Sequence, residues 1–396
     1  MNTKLGRMRA SASVALMARA KELKRRDPGV IGLAGGEPDF ATPERVSAAA
    51  VRSLTEGNTH YVEGPGIPAL RRAIAEKLRE ENGILCDEDC VLVTPGGKFA
   101  IYLAVHALLS EGEEAVILNP AWVSYEPIVI AAGGVPVFVD LDYRDNYRIT
   151  AEALEAAVTG RTRLLIINYP NNPSGRILHE DEADVLEAFL LRHPEIWLLS
   201  DEVYERIVYD GGRSVSMASR PAVSGRVITV NGFSKSAAMT GWRMGYLTGS
   251  RELYDAAYKL YQHSMSCMSG FLQLGAVEAL RCRAEIEEMR RDYERRRDLF
   301  TGLLDSIPGV SCPRPEGAFY AWAFFDIPGM SSSEIGEYLL ENARVVGVPG
   351  SAYGEKRAAC MRFSFANAES ELIEAAERIR EAILRLRGSE KRGDEA

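Results

Sequence analysis

The chain has 396 residues, a length that points to two domains rather than one ordinary core. It is 46% hydrophobic, 26% charged and 8% aromatic, the composition of a soluble globular protein. A formal net charge of −9 argues against a chain-wide basic footprint for nucleic acid or acidic membrane, and no apolar run is long enough to span a bilayer.

The opening stretch, MNTKLGRMRASASVALMARAKEL, is basic and has the periodicity of an amphipathic helix preceding the first strand. It lacks the uninterrupted apolar core of a secretory signal, so a cytoplasmic location is expected. The Gly- and Pro-rich EGPGIP at 63–68, with that helix, is placed to gate a cleft. Of six cysteines only Cys86 and Cys90 are close, separated by the acidic Asp87-Glu88-Asp89, and the five histidines show no metal spacing. Reduced structural thiols and no metal site are expected.

Between about 90 and 250, short β-branched strands alternate with turns and helical stretches. VLVTP, EAVILNP, VPVFVDL, RLLIINYP, IWLLSDEVY, RVITVNG and MGYLTGS are rich in Val, Ile and Leu on both faces. That pattern suits a largely parallel sheet buried between helices. Ligands in such sheets gather at the carboxyl ends of strands, and the polar oddities fall there: Gly96-Gly97-Lys98, Trp122, Asn171-Asn172-Pro173, Asp201 and Lys235. From about 251 a helical region rich in Glu and Arg, including EIEEMRRDYERRRDLFTGLL, leads to a smaller α+β domain with GAFYAWAFF and CMRFSFA. The expected division is an N-terminal segment (1–42) packing with the small domain, a large domain (43–286) and a small C-terminal domain (287–396).

The stretch TVNGFSKSAAMTGWRMGY places Lys235 and Arg243 among small residues with no neighbouring acid. A lysine after a strand is usually solvated. Its distinctive covalent use is as an amine that forms a Schiff base with a carbonyl, a task helped by nearby positive charge and partial burial. Asp201 ends IWLLSD and reads either as a helix N-cap or as a carboxylate that keeps a pyridine nitrogen protonated. In the second reading Tyr204 donates to the cofactor phenolate. The glycine turn before Lys98 opens a helical run and suits a phosphate, although it is neither a P-loop nor a GxGxxG fingerprint. Trp122 stacks on a planar ring or packs in the core, and Asn172 lies in a turn-rich segment where a structural role is the default.

Taken together, GGEPDF (35–40), YVEGPGIPALR (61–71), VTPGGK (93–98), PAWVSY (120–125), NYPNNPSG (168–175), SDEVYE (200–205), NGFSKSAAMTGWRMGY (231–246), GAFY (317–320) and MRFSF (361–365) carry a resemblance over nearly the whole chain. The sequence resembles the class I and II pyridoxal-phosphate-dependent aminotransferases of fold type I, most closely the bacterial and archaeal aspartate aminotransferases. The resemblance implies an α/β fold: a large domain with a mostly parallel seven-stranded sheet between helices, plus the smaller α+β domain. It also implies pyridoxal 5′-phosphate as cofactor. Lys235 then holds the cofactor as a Schiff base and, once freed, moves the proton between substrate Cα and cofactor C4′. Asp201 pairs with the ring nitrogen, Tyr204 and Asn172 bond the ring oxygen, and Trp122 stacks on the ring. Arg243 and the amides of Gly97 and Lys98 hold the phosphate, with Tyr61 reaching in from the other subunit of a homodimer. Arg362 grips the substrate α-carboxylate, aided by Gly36, Asn172 and Trp122; a planar fork is the reason for arginine there.

Two positions depart from the pattern. Gly232 stands where many relatives carry a serine for the phosphate, and Ala34 where related dicarboxylate enzymes often carry threonine. By resemblance, Lys98 contacts a distal carboxylate, with Arg9 a weaker candidate for closing over a dicarboxylate or prephenate. The expected reaction moves the amino group of L-aspartate to 2-oxoglutarate, giving oxaloacetate and L-glutamate in ping-pong order. Alternatives on the same fold are an aminotransferase acting on prephenate, alanine or aromatic amino acids, or β-elimination from sulfur amino acids. A cofactor-dependent regulator is disfavoured by the negative charge and by the short stretch before GGEPDF.

Overall fold

The computed structural model describes residues 6, 8, 18 and 22–393. The amphipathic helix expected at the N-terminus falls, apart from scattered positions, outside them. The first strand, β1 (Ile31–Gly32), is followed by helices Glu44–Thr55 and Pro68–Asn82. Then come β2 (Val91–Thr94), β3 (Glu114–Asn119), β4 (Val135–Asp140), β5 (Thr162–Asn168), β6 (Trp197–Asp201), β7 (Val227–Gly232) and β8 (Gly245–Thr248). These seven form one sheet in the order β2-β8-β7-β6-β5-β3-β4. They correspond one for one to the apolar runs of the sequence. Every pairing is parallel except those of β8, which runs antiparallel to both neighbours.

Because side chains alternate across a strand, both faces of this sheet must be covered by apolar packing. Leu165 and Ile167 enter one core while Leu164 and Ile166 enter another on the opposite side. In β3, Val116 and Leu118 likewise face away from Ala115 and Ile117. The second of these cores is closed by helix Gly97–Leu108 and helix Arg251–Gln262, through Ile101, Leu103, Leu253 and Tyr261. No helix among the described residues is long and apolar enough to cross a membrane.

The charged region after 251 is three helices: Arg251–Gln262, Gly270–Arg281 and Arg283–Asp305. Ser250 caps the first, its Oγ accepting from the Leu253 amide at 3.4 Å. The expected division at 286/287 falls inside the first turn of helix Arg283–Asp305. That helix packs Tyr293, Phe300 and Leu304 into a third core with Ile379 and Ile383 of the last helix, Glu369–Gly393. The core covers a second sheet in the order β12-β13-β10-β9, formed by β9 (Val310–Ser311), β10 (Tyr320–Phe325), β12 (Val348–Pro349) and β13 (Cys360–Ser364), all antiparallel. β1 joins the same part of the molecule by pairing in parallel with β11 (Val345–Val346).

After β1 the chain crosses to the large sheet as a strap, residues 33–42. Leu33 bonds to both Val346 and Ser364 through its backbone. Asp39 then takes two bonds from Arg296 Nη1, at 2.7 and 2.8 Å. Thr42 donates through Oγ1 to the Ala238 carbonyl at 2.7 Å and accepts from Trp242 Nε1 at 3.1 Å.

Candidate active site

The parallel strands end in polar residues: β5 in Asn168 and β6 in Asp201, which face each other in register. The loop after β7 carries Lys235 and Arg243, and the N-terminus of helix Gly97–Leu108 lies beside it. A cavity of about 390 Å³ opens at this edge. All the expected site residues except Tyr61 line it: Gly36, Gly97, Lys98, Trp122, Asn172, Asp201, Tyr204, Lys235, Arg243 and Arg362. Tyr61 is 89% exposed and stands away from the cavity of its own chain. Arg9 lies outside the described residues.

Lys235 is partly buried, and its Nζ donates to the Gly36 carbonyl of the strap. Burial lowers its pKa from 10.5 to about 8; Glu37 opposes the shift, and Arg362 and Arg243 add to it. Asp201 is buried without a cation at bonding distance. Its Oδ2 accepts from Tyr125 Oη at 2.8 Å and its Oδ1 from the Val203 amide at 3.3 Å. Burial raises its pKa from 3.8 to about 6, although Tyr125, Val203 and Lys235 all pull the other way. The residues after Asp201 form turns, not a helix, so the N-cap reading fails.

Arg362, in β13, is buried. Its Nη1 donates to Asn172 Oδ1 at 2.9 Å and its Nη2 to the Ala34 carbonyl at 2.8 Å, while its Nε is buried without a partner. Its guanidinium lies 4.2 Å from the Tyr320 ring centre, and Tyr320 Oη bonds Tyr204 Oη at 2.8 Å. Lys98 is open to the cleft with Nζ 4.9 Å from the Trp122 ring centre. Its pKa is lowered, first by partial burial and then by the Arg243 charge. Arg243 donates to the Thr240 carbonyl at 2.9 Å from a left-handed backbone, φ 53°. Ala238, in the same loop, is also left-handed at φ 51°; conformations of this kind cost about 1–3 kcal/mol and cluster at functional sites. Among the described residues no carboxylate pairs with Lys98, Lys235, Arg243 or Arg362.

Glycines allow the close approaches. A Cβ on Gly96 (φ 80°) would meet the Arg243 guanidinium at 2.7 Å, and one on Gly245 would meet the Gly97 nitrogen at 2.5 Å. A Cβ on Gly232 would lie 2.9 Å from the Met244 carbonyl oxygen. The serine of the family pattern therefore has no room there unless β8 moves. The Ala34 departure is mild, since its contact with Arg362 is made by the backbone.

Asn168, Ser234, Tyr320, Glu37 and Thr240 also line the cavity, and Tyr125 holds Asp201 from outside it. Sequence reasoning singled out none of them. Tyr125 and Tyr320 do fall within PAWVSY and GAFY, and Ser234 stands next to the lysine.

A family profile described as aminotransferase class I and II matches residues 28–379. The chain belongs to this family. The aminotransferase is 42% identical to the aspartate aminotransferase of Rhizobium meliloti (strain 1021) over 383 residues, 93% of this chain and 92% of that one. It is 40% identical to the aromatic-amino-acid aminotransferase 2 of Thermococcus litoralis over 359 residues, 90% and 92% of the two chains. The crystal structure of the aspartate aminotransferase from Rhizobium meliloti matches with a TM-score of 0.92 at 41% identity, covering 96% of this chain and 98% of that one. Members of the family depend on pyridoxal 5′-phosphate, and the donor set here fits that group. It offers a buried acid for a ring nitrogen, a glycine cradle beside Arg243 for a phosphate, and an amine of lowered pKa.

Proposed function

We propose that this aminotransferase moves the amino group of L-aspartate to 2-oxoglutarate, giving oxaloacetate and L-glutamate. The observation that carries the dicarboxylate reading is a pair of cations on one cavity without acidic partners: Arg362, buried, and Lys98, open to the cleft. In this reading Asp201 addresses the ring nitrogen of pyridoxal phosphate, Tyr204 and Asn172 its ring oxygen, and Trp122 its face. Arg243 and the amides of Gly97 and Lys98 take the phosphate, with Tyr61 contributed by a second copy of the chain. When bound, the cofactor supplies a conjugated sink for the electrons left behind when the substrate Cα–H bond breaks.

Lys235 Nζ takes that proton and returns it. A pKa of about 8 keeps a useful fraction of the amine neutral near neutral pH while leaving it basic enough to act. Arg362 binds the α-carboxylate with its fork, the free Nε providing a donor. Lys98 attracts the distal carboxylate, more strongly in the poorly screened cleft than it would in water.

Lys98→Ala is expected to raise KM for aspartate and 2-oxoglutarate about tenfold, the loss of one charge-assisted bond, and to leave alanine and phenylalanine unchanged. An equal rise for all four would overturn the role. A second reading, transfer from aromatic amino acids, is favoured by the name of the Thermococcus relative and by Trp122 and Tyr320 in the cavity wall. Product analysis with single donors separates the two, and pyruvate with free ammonia would indicate a lyase instead.

A further inference from the structure

Asn168 has no place in the scheme above, yet it joins the two ends of the cavity. It is the last residue of β5, buried, and level with Asp201 across the ladder. Its Nδ2 donates to the Asp201 carbonyl at 2.9 Å, and its Oδ1 accepts from the Asn172 amide at 2.9 Å. One partner is a pure acceptor and the other a pure donor, so the orientation of the side-chain amide is fixed. Asn172 in turn accepts from Arg362 at 2.9 Å, and Arg362 donates to Ala34. An unbroken run of hydrogen bonds therefore leads from the backbone of Asp201, on the large sheet, to Arg362, on the second sheet.

The neighbouring bonds show why this side chain matters. The Asp201 carbonyl already receives the Tyr169 amide at 3.2 Å, the regular continuation of the ladder. That bond ties the strands together but says nothing about where the next turn goes. The turn at 171–175 is braced internally by Asn171, whose Oδ1 accepts from the Ser174 amide at 3.0 Å and from Ser174 Oγ at 2.7 Å. Its amide also reaches the Asn168 carbonyl, at 3.3 Å. The braced turn behaves as one body, and the Asn168 side chain sets its height above Asp201.

We propose that Asn168 is a positioning residue for amino transfer: its amide sets the spacing between Asp201, at the cofactor end, and the Asn172–Arg362 pair, at the substrate carboxylate end. The proposal rests on the site roles given under Proposed function. It differs from a merely local support because each end keeps its own groups when Asn168 is changed, and only their alignment is lost. Misalignment of about 1 Å in a reacting pair costs on the order of 100-fold in rate.

The test uses the cofactor-loaded protein with two variants. Asn168→Ala removes both bonds. Asn168→Asp keeps the shape and the acceptor for Asn172 but sets a carboxylate oxygen against the Asp201 carbonyl. A protonated aspartic acid again has one donor and one acceptor, so this variant regains the clamp as pH falls. The expected result for both variants at pH 8 is a kcat lowered about 10- to 100-fold. The dissociation constants of pyridoxal 5′-phosphate, which Lys235, Arg243 and the Gly97 amide also hold, and of maleate, which Arg362 and Lys98 hold, should stay within about threefold of the parent. The Asn168→Asp deficit should shrink toward pH 5.5, measured against the parent at the same pH, whereas that of Asn168→Ala should not. An unchanged kcat would overturn the proposal. So would a loss that appears wholly in the affinity of either probe, or an Asn168→Asp deficit that does not depend on pH. If Asn168→Ala fails to fold, the isosteric Asn168→Asp carries the test alone. Failure of the underlying site roles would show separately, as a parent protein whose Lys235 is not labelled by borohydride reduction with the cofactor.

Discussion

In the proposed chemistry two groups of opposite sign stand out at the scale of single residues, Asp201, buried, and Lys235, partly buried, and burial works against the charge of each. For Asp201 the sign follows from a folded pKa near 6 against 3.8. As pH rises through that interval the unfolded chain gives up its proton first, so the cofactor-free protein loses stability, by up to about 3 kcal/mol above pH 6. Asp201→Asn is therefore expected to stabilise the cofactor-free protein by about 1–3 kcal/mol at pH 8, a gain that fades below pH 4; urea denaturation at both pH values measures it. Lys235 makes a kinetic prediction. The rate at which cofactor-free protein takes up pyridoxal 5′-phosphate should climb with pH, pass half its maximum near 8, where half of the amine is neutral, and level off about one unit higher. A rise that continued to 10.5 would show an ordinary lysine. Both residues were legible in the sequence because each follows a strand within a distinctive motif. Tyr125, Asn168 and Tyr320 were not, because their importance comes from partners far along the chain, Asp201 for the first two and Tyr204 for the third.

At the scale of elements, apolar runs with no polar face announced all seven strands of the large sheet; six are covered on both sides and have no reason to alternate, while the edge strand β4 keeps the pattern although it is partly exposed. The turn after Asp201 was harder to read: SDEVYE has the composition of a helix start, yet the chain bends there to bring Tyr204 under the cavity. The packing of β8 against the helix Gly97–Leu108 was hidden as well. Gly245 reads as an ordinary strand glycine, but its missing Cβ is what lets the Gly96-Gly97 turn settle on β8. Gly245→Ala is expected to cost about 1–3 kcal/mol, as overpacking does, and to weaken phosphate binding to the cofactor-free protein, because the helix N-terminus must move. Calorimetry with and without inorganic phosphate reads both effects. Destabilisation with unchanged phosphate affinity would mean that the turn had kept its shape.

For the whole molecule, the site draws on two sheets, and in the proposed reading on two copies of the chain. Tyr61, far more exposed than an aromatic residue usually is, supports that reading. Lys235→Ala and Tyr61→Ala chains, each impaired alone, should regain part of the activity when mixed and re-associated, since a mixed pair contains one intact site. No recovery, in material that sedimentation shows to have exchanged subunits, would rule out a shared site. The strap joins the sheets within one chain. Its carbonyls at Ala34 and Gly36 hold Arg362 and Lys235, the Glu37 carboxylate accepts from Thr240 at 2.8 Å, and Asp39 takes Arg296. Surface connections usually absorb an extra residue at little cost. This one should not: a single insertion between Gly35 and Asp39 would leave the Ala34 carbonyl on Arg362 yet throw the oxygens of Gly36, Glu37 or Asp39 out of step with the cation or hydroxyl each faces, so the chain's length there is constrained together with its two carboxylates.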